Sequence, residues 1–452
     1  MSAFPTRHPR RRLTQVVIPL LAAGLVAAAC SGGGTTTAGV APDASPVGTT
    51  QPPSPADSAS GSPSASPSGG HGSRGHGAVV VPGSGTPAPG ASAADATTDL
   101  YSHTRAGMLQ QTVAKDPALV YVPNLSSDTV SVIDQSTLKV IRTLPVGNQP
   151  QHVVPSWDLR TLWVNNNTGA RGNSLTPIDP ATGQVSGPAV PVEDPYNLYF
   201  TPNGRSALVM AEANTDIDFR DPKSWRLQYR LHLGPRCAGV NHADFAPDGS
   251  YLIATCEFAG NLVKVDLRGT PSVVGYIDLN RPGAPAAPQD IKIDPFGKMW
   301  YVADMNTNGV HEIDGDAFTR VGFLPTGPET HGLYVSRDGT KLYVANRGGA
   351  LVNQAPPFPH QGNQGSVSVV DFRSRKVVAT WTIPGGGTPD MGNVSADGSR
   401  LWLSGRRSNE VYVLDTSDGR LVARIPVGLE PHGLSVWPQP GRFSLGHTGI
   451  LR

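Results

Sequence analysis

The chain has 452 residues, a formal net charge of +1 and an aromatic content of 6%. The charge is balanced, and no basic segment lies beyond the extreme N-terminus. The chain therefore lacks the excess of positive charge that binds nucleic acid, and no nucleic-acid partner is predicted. The 52 glycines and 43 prolines predict many turns together with a disordered segment.

The first 29 residues have the pattern of an export signal. Four arginines between positions 7 and 12 precede the apolar run "VVIPLLAAGLVAAA", which is short for a membrane span and typical of a signal peptide. The letters "AAAC" at 27–30 resemble a bacterial lipobox, although Ala27 stands where Leu is more common. The resemblance implies cleavage before Cys30 and lipid attachment to its sulfur. We therefore expect a lipoprotein on the outer face of the cell membrane, with a secreted protein as the alternative.

Residues 30–95 consist mostly of Gly, Pro, Ser, Ala and Thr. Such a segment buries too little apolar surface to offset its ordering entropy, so a disordered tether is predicted. His71 and His76 are interpreted as solvated residues of this tether. A lead-in segment is expected over 96–117, followed by a folded body over 118–452.

The folded body contains one unit repeated seven times. Each copy has an acid at the end of its third strand-like run, at Asp134, Asp179, Asp221, Asp266, Asp314, Asp371 and Asp415. The successive spacings of 45, 42, 45, 48, 57 and 44 suit four short strands with their turns. The long interval holds an insertion over 348–365. Each acid precedes a turn, as in "DQSTLK", and is interpreted as a cap of that turn.

Within each copy the order of segments is constant. A turn leads to an apolar strand such as "THGLYV", a tight turn such as "RDGT" follows, and "LYVAN" and the acid-ended strand come next. The fourth strand alternates apolar and polar residues, as in "KVVATWTI". Regular copies without helical periodicity predict an all-β protein, a seven-bladed β-propeller of four-stranded blades.

These copies resemble the YVTN-type repeats of seven-bladed propellers related to the YncE-like proteins, from about residue 118 onward. The first copy lacks its innermost strand, whereas "EPHGLSVWP" at 430–438 has no copy of its own. We predict that this last strand completes the first blade and closes the ring, which removes a free sheet edge.

Two cysteines remain if Cys30 carries lipid. Cys237 lies in the turn before one innermost strand and Cys256 ends the neighbouring "YLIATC" strand. An exported protein permits disulfides, and a bond between this pair is geometrically plausible, although the spacing of 19 positions (256 − 237) does not prove it.

The turns that lead into the innermost strands carry polar residues expected to ring the channel mouth. They are His152, Tyr196, Asn241, His242, Gln289, Asp290, His331, Asp390 and His432, with Arg347 and Arg406 in nearby loops. Imidazoles on adjacent loops suit a ligand or a metal. The competing interpretation is structural, with each imidazole bonding the backbone of the neighbouring blade. His242, Asp290 and Asp390 depart from the repeat and carry more functional weight.

Two functions are compatible with this pattern. The first is a surface-anchored, monomeric scaffold without enzymatic activity or an evident cofactor, which binds a protein, an envelope polymer or a small ligand on its loop face. The second is an extracytoplasmic hydrolase or a cofactor-binding redox protein, because the resemblance extends to propellers of lactone hydrolases, amine dehydrogenases and a haem-binding nitrite reductase domain. The sequence lacks C-x-x-C-H, H-E-x-x-H and G-x-S-x-G motifs, which favours the first.

Overall fold

A computed structural model describes residues 99–169, 172–349 and 364–452, and the structural statements that follow concern these residues. They contain 29 strands, β1 to β29, and three short 3₁₀ helices. The predicted signal peptide, Cys30 and the predicted tether lie outside the described residues. No helix within these ranges is long and apolar enough to cross a bilayer.

The strands form seven antiparallel sheets, the blades of a propeller. From the innermost strand outwards, blade 1 consists of β29 (Ser435–Trp437), β1 (Leu119–Asn124), β2 (Thr129–Asp134) and β3 (Lys139–Pro145). Blade 2 consists of β4 (Pro150–Pro155), β5 (Leu162–Asn166), β6 (Ser174–Asp179), β7 (Gln184–Val185) and β8 (Val190–Pro191). Blade 3 consists of β9 (Asn197–Phe200), β10 (Ala207–Ala211), β11 (Asp216–Arg220) and β12 (Leu227–His232).

Blades 4 to 7 follow the same order. Blade 4 consists of β13 (Val240–Phe245), β14 (Tyr251–Cys256), β15 (Asn261–Asp266) and β16 (Ser272–Asp278), and blade 5 of β17 (Pro288–Ile293), β18 (Met299–Asp304), β19 (Gly309–Asp314) and β20 (Thr319–Pro325). Blade 6 consists of β21 (Thr330–Val335), β22 (Lys341–Asn346), β23 (Ser366–Asp371) and β24 (Lys376–Thr382). Blade 7 consists of β25 (Pro389–Val394), β26 (Arg400–Gly405), β27 (Glu410–Asp415) and β28 (Leu421–Pro426).

The predicted ring closure is confirmed. Leu119 and Tyr121 of β1 pair with Trp437 and Ser435 of β29, so the end of the chain supplies the innermost strand of blade 1. Blade 2 departs from the four-strand pattern, because its outer edge is split into β7 and β8. Pro188 and Pro191 lie at this edge, where proline cannot donate a ladder hydrogen bond.

The apolar core lies between neighbouring blades. One cluster joins Val120 and Val122 of blade 1 to Trp402 and Val411 of blade 7, and comparable clusters occupy the other junctions. Burial of each such aliphatic or aromatic side chain contributes about 1.5–3 kcal/mol. Since the core is distributed around the ring, the central channel is free to carry polar residues.

The seven repeated aspartates cap their turns, as predicted. Asp134 accepts hydrogen bonds from the backbone N–H groups of Ser136 and Thr137 at 2.9 and 2.8 Å. The same contact to a backbone N–H two or three residues on is made by Asp179, Asp221, Asp266, Asp314, Asp371 and Asp415. These carboxylates are therefore structural.

The repeated asparagine of "YVAN" is structural as well. The Asn346 amide donates to the hydroxyls of Ser366 and Ser368, which ties two strands of one blade together. In blade 5, Asp304 takes the place of this asparagine and contacts Nε2 of the buried His311 at 2.9 Å. His311 thus belongs to the interior of a blade and lies away from the channel.

The two ends of the propeller differ. We call the end where the innermost strands begin the mouth and the end where they finish the base. The lead-in segment was expected over 96–117, and its described part, 99–117, crosses the base, where the Tyr101 hydroxyl donates to the Ile293 carbonyl oxygen at 2.9 Å. The residues after β29 also pack at the base, since Ser444 N–H donates to the Trp157 carbonyl oxygen at 3.1 Å.

Candidate functional site

A β-bulge near the start of the innermost strands shapes the channel. In blade 4, Val240 pairs with Cys256 and Ala243 pairs with Ala254, so Asn241 and His242 together face a single residue of β14. Blades 5, 6 and 7 repeat this register shift at the same point. A bulge redirects side chains that a regular strand would alternate between its faces. Adjacent polar side chains are thereby brought to the channel.

Five imidazoles meet in the channel. The ring centroids of His152 lie 4.8 Å from His432, 5.4 Å from His447 and 5.7 Å from His242. His242 in turn lies 4.8 Å from His447 and 6.4 Å from His331. All five are at most 2% exposed. The four histidines predicted on separate loops therefore form one cluster with His447, and we call these five residues the channel cluster.

The position of these residues differs from the expectation. We expected them to ring the channel mouth, and the expectation did not include burial, whereas the structure buries them within the channel, together with Tyr196, Asp290 and Asp390. The closure comes from a hairpin over residues 444–451, in which Gly446 bridges Tyr199 of an innermost strand and His447 N–H donates to the Leu198 carbonyl oxygen. This plug hairpin fills the channel from the base.

Three of the imidazoles form a group suited to a metal ion. One ligand atom each from His152, His242 and His447 lie within 4.8 Å of one another. His152 Nδ1 contacts the Tyr196 carbonyl oxygen at 2.9 Å, so Nδ1 carries the proton and Nε2 presents a lone pair. The structural interpretation predicted such a hydrogen bond between an imidazole and the backbone of the neighbouring blade. The bond uses only one of the two ring nitrogens of His152, so the other is left for a ligand.

Asn197 connects the other two histidines of this group. Its Nδ2 lies 3.2 Å from Nδ1 of His242 and 3.1 Å from Nδ1 of His447. Its Oδ1 accepts the Leu198 N–H at 2.9 Å. In this orientation the amide donates to both rings, and their protons reside on Nε2.

A second group contains His331, Asp390 and His432, whose ligand atoms also lie within 4.8 Å of one another. His331 Nδ1 is 3.0 Å from Asp390 Oδ1 but is poorly aligned for a hydrogen bond. Arg347 contacts the same oxygen through Nε and Nη2, both at 2.7 Å. The predicted arginine is therefore paired with Asp390, whose charge it neutralises.

Asp290 is held in a comparable pair. Lys292 Nζ donates to Asp290 Oδ1 at 2.6 Å, and the Leu333 N–H donates to Oδ2 at 2.9 Å. Burial alone would raise the pKa of Asp290, but the positive charge of Lys292 lowers it below its ordinary value. Asp290 thus remains a carboxylate that balances the lysine.

The histidines of the channel cluster are neutral. Burial lowers the pKa of His152 well below its ordinary value, and the neighbouring His447 lowers it further. Burial also lowers the pKa of His242, His331, His432 and His447. Neutral imidazoles are the form that binds metal ions.

Several buried polar atoms of the cluster have no hydrogen-bond partner within the described part of the chain. They are Nε2 of His152, His242 and His447, Nδ1 of His331 and both ring nitrogens of His432, and Oδ2 of the neighbouring Asp390 has none either. Carboxylate oxygens lie 3.7 Å from two of these nitrogens, too far for a hydrogen bond. Buried polar groups in folded proteins are almost always paired, so a concentration of unpaired ones in one place points to a bound species.

The mouth above the cluster carries Glu212, Glu257 and Arg406. Burial raises the pKa of Glu212 to about 9, with further contributions from Glu257 and Asp194. Burial also raises the pKa of Glu257, which accepts a hydrogen bond from the Asn241 amide at 3.0 Å. Arg406 is half-buried and has no ion-pair or hydrogen-bond partner in the described ranges, unlike Arg407, which pairs with Glu329 at 2.6 Å.

The structure links Cys237 and Cys256 in a disulfide, as the sequence suggested. Cys256 pairs in register with Val240, so the bond secures the turn that leads into β13 and His242. Residues 350–363 of the insertion lie outside the described residues.

Sequence reasoning missed three residues of the site: His447, Asn197 and Lys292. His447 lies outside the repeats, so no alignment of copies includes it. Asn197 and Lys292 do lie in innermost strands, and each is a polar residue between apolar or aromatic neighbours, which is the signal that the sequence offered.

Comparisons with known proteins agree with this fold. A sequence model of the YNCE-like β-propeller family matches residues 102–440. The protein YwhL of Bacillus subtilis (strain 168) is 24% identical over 340 residues, which cover 74% of this chain and 68% of YwhL.

Among solved structures, a candidate 6-phosphogluconolactonase from Bacteroides uniformis ATCC 8492 aligns with a TM-score of 0.55 at 18% identity, over 71% of this chain and 99% of that one. The dihydro-heme d1 dehydrogenase NirN aligns with a TM-score of 0.51 at 14% identity, over 73% of this chain and 78% of that one. At these identities the similarity shows the fold alone. The family match, which spans most of the chain, shows that this protein belongs to the YncE-like β-propeller family.

Proposed function

We propose that the protein is an exported binding protein that holds one transition-metal ion in its propeller channel, with His152, His242 and His447 as ligands. The observation that carries this proposal is the convergence of three buried, neutral imidazoles whose Nε2 atoms make no hydrogen bond to the described residues. The carboxylate oxygen nearest to His447 Nε2, Oδ2 of Asp290, lies 3.7 Å away. Imidazole ligands suit zinc, copper, nickel and cobalt, whereas calcium and magnesium require oxygen ligands.

Metal binding requires two small adjustments. Metal–nitrogen bonds of about 2.0–2.1 Å bring ligand nitrogens closer than the 4.8 Å limit of the group, so the rings must rotate inward. The Asn197 amide must also turn over, so that Oδ1 accepts Nδ1–H from His242 and His447 and leaves both Nε2 lone pairs free. This rotation of the amide gives up two hydrogen bonds, one accepted from Leu198 N–H and one donated to the Asn241 carbonyl oxygen, and the metal–nitrogen bonds offset their loss.

The proposed setting follows from the N-terminal sequence. The signal peptide directs export, a lipid on Cys30 anchors the chain, and residues 30–95 hold the propeller away from the membrane. The propeller acts as a monomer at the outer face of the cell membrane. Its broad mouth face is free to meet a protein or an envelope polymer, as in the scaffold interpretation, but the unpartnered channel cluster favours a buried ligand.

The hydrolase alternative has weaker support. Its proposed acids were Asp290 and Asp390, and each is engaged by a cationic side chain, Lys292 and Arg347 respectively. A carboxylate in such a pair is a poor general base. The similarity to a candidate lactonase is therefore no reason to assign a catalytic role to Asp290 or Asp390.

The test is metal uptake by the purified full-length chain. After chelation and dialysis, calorimetric titration with Zn²⁺ and elemental analysis should give one tightly bound ion per chain. The double variant His152→Gln, His447→Gln should weaken binding by at least about 100-fold, since two of three ligands are lost.

His311→Gln is the matched control, because His311 is equally buried but lies inside a blade. It should bind Zn²⁺ like the wild type. A folded wild-type chain that takes up no metal, or a double variant that binds as tightly as the wild type, would contradict the proposal.

A further inference from the structure

We infer that the open coordination position of the metal site takes a small oxyanion, a carboxylate or a phosphate, which enters through the mouth and is held by Arg406. This inference rests on the proposed metal site and names the class of ligand that completes it. Three protein ligands are typical of metal sites that keep a position for an exogenous ligand.

The arrangement of the rings fixes the direction of this position. His152 and His242 contact His447 of the plug hairpin on one side, and they contact His432 and His331 respectively on the other. Since the plug hairpin closes the base, the free side of the metal faces the second group and the mouth beyond it. The facing rings of His331 and His432 are in edge-to-face contact, with centroids 5.9 Å apart, so an anion enters only when these two rings turn aside.

The charges around this position favour an anion. The two aspartates of the cluster are already neutralised, Asp290 by Lys292 at 2.6 Å and Asp390 by Arg347 at 2.7 Å. A divalent ion on three neutral imidazoles would therefore add two positive charges with no counter-charge. The positive charge of Arg406 adds to the excess, and it acts on His432, His331 and His152 alike.

Arg406 is the residue best placed to recognise the anion. It is half-buried and makes no hydrogen bond or close ion pair within the part of the chain that the structure describes, although its charge acts on Glu212 and Glu257. Arg407 next to it, by contrast, is paired with Glu329. A guanidinium presents paired N–H donors that match the oxygens of a carboxylate or a phosphate.

The acidic side chains of the mouth do not oppose this assignment. Burial raises the pKa of Glu212 to about 9, so at neutral pH its carboxyl group is protonated. Burial raises the pKa of Glu257 in the same direction. A protonated carboxyl donates a hydrogen bond to an anion rather than repelling it.

The experiment uses the full-length chain loaded with Co²⁺, whose visible spectrum reports on its ligands. Oxalate and inorganic phosphate are titrated separately into the loaded and the metal-free protein. We expect a saturable spectral change with at least one of them, and binding at least about tenfold weaker to the metal-free protein.

Arg406→Ala should weaken anion binding by about 10–100-fold, in line with the loss of a charge-assisted bidentate contact. The matched control Arg407→Ala should bind the anion like the wild type. Co²⁺ uptake is measured on every variant, and Arg406→Ala should retain it, since the substitution removes a positive charge near the metal.

The outcomes separate the two proposals. Absence of Co²⁺ uptake by the wild type contradicts the metal site itself. Normal uptake with no response to either anion overturns the present inference alone, as does equal anion affinity in Arg406→Ala and the wild type. A response to oxalate but not to phosphate, or the reverse, supports the inference and identifies the anion class.

Discussion

The seven capping aspartates and four of the five channel histidines recur from blade to blade, and His447 of the plug hairpin is the exception. The two groups differ in how their hydrogen bonds are met. Asp134 is satisfied by backbone N–H groups two and three residues away. The histidines are buried, and most of them keep a ring nitrogen without a partner in the described chain. Recurrence alone therefore marks architecture in this propeller, whereas unmet hydrogen-bonding capacity marks the candidate site.

The largest expected effect comes from crowding the channel cluster without touching a ligand. Gly433 lies against His152, and a Cβ at this position would overlap the imidazole ring. Gly433→Ala should displace the ring and weaken Zn²⁺ binding by about 100-fold, the upper range for loss of a supporting contact. Calorimetric titration measures the effect.

Gly269→Ala is its matched control, because a Cβ at Gly269 meets no atom within 4 Å. This variant should bind Zn²⁺ with wild-type affinity. Equal Zn²⁺ affinity in both glycine variants would show that the position of His152 does not affect metal binding. His152 would then be a structural residue like the capping aspartates.

The next effect tests the role of Asn197. Aspartate has the same shape, but it only accepts hydrogen bonds, so it would hold both Nδ1–H groups and leave Nε2 of His242 and His447 free for metal. Asn197→Asp should therefore bind Zn²⁺ about tenfold more tightly than the wild type. Asn197→Leu, which accepts nothing, should bind more weakly. The reverse order of the two variants would contradict the proposed tautomers.

The sequence predicted the propeller, its seven blades and its closure because each depends on local patterns repeated many times. It also predicted His152, His242, His331 and His432, since they lie in the repeated turns that lead into the innermost strands. It did not predict their burial, which depends on the plug hairpin, a segment without a repeat to align. The pairing of Asp390 with Arg347 joins two different blades, and such long-range contacts leave no local signal.

A smaller effect is expected from the aspartates themselves. Asp134→Ala removes the cap of one exposed turn, so it should lower the free energy of unfolding by no more than about 1 kcal/mol, the typical net contribution of one hydrogen bond. Zn²⁺ affinity should remain that of the wild type. Thermal denaturation measures the stability and titration measures the Zn²⁺ affinity. A loss of Zn²⁺ binding in this variant would show that the metal site depends on the capped turns of the blades.

The smallest effect concerns the pH dependence of stability. Glu212 faces Glu257, Asp194 and Arg406, and its pKa is raised to about 9 in the folded state. Between its ordinary pKa of 4.5 and about 9 the folded state binds more protons than the unfolded state, so its contribution to stability declines as pH rises.

Glu212→Gln removes this contribution. Relative to the wild type, the variant should gain stability as pH rises from 5 to 9, and chemical denaturation at several pH values measures the difference. A constant difference across this range would show that Glu212 titrates normally.

The most direct measurement of the central claim is anomalous diffraction from a crystal of the Zn²⁺-loaded protein. We expect one strong peak in the channel, about 2.0–2.1 Å from a ring nitrogen of each of His152, His242 and His447. A channel without a peak in crystals grown with stoichiometric Zn²⁺, or a peak held only by surface residues, would contradict the account.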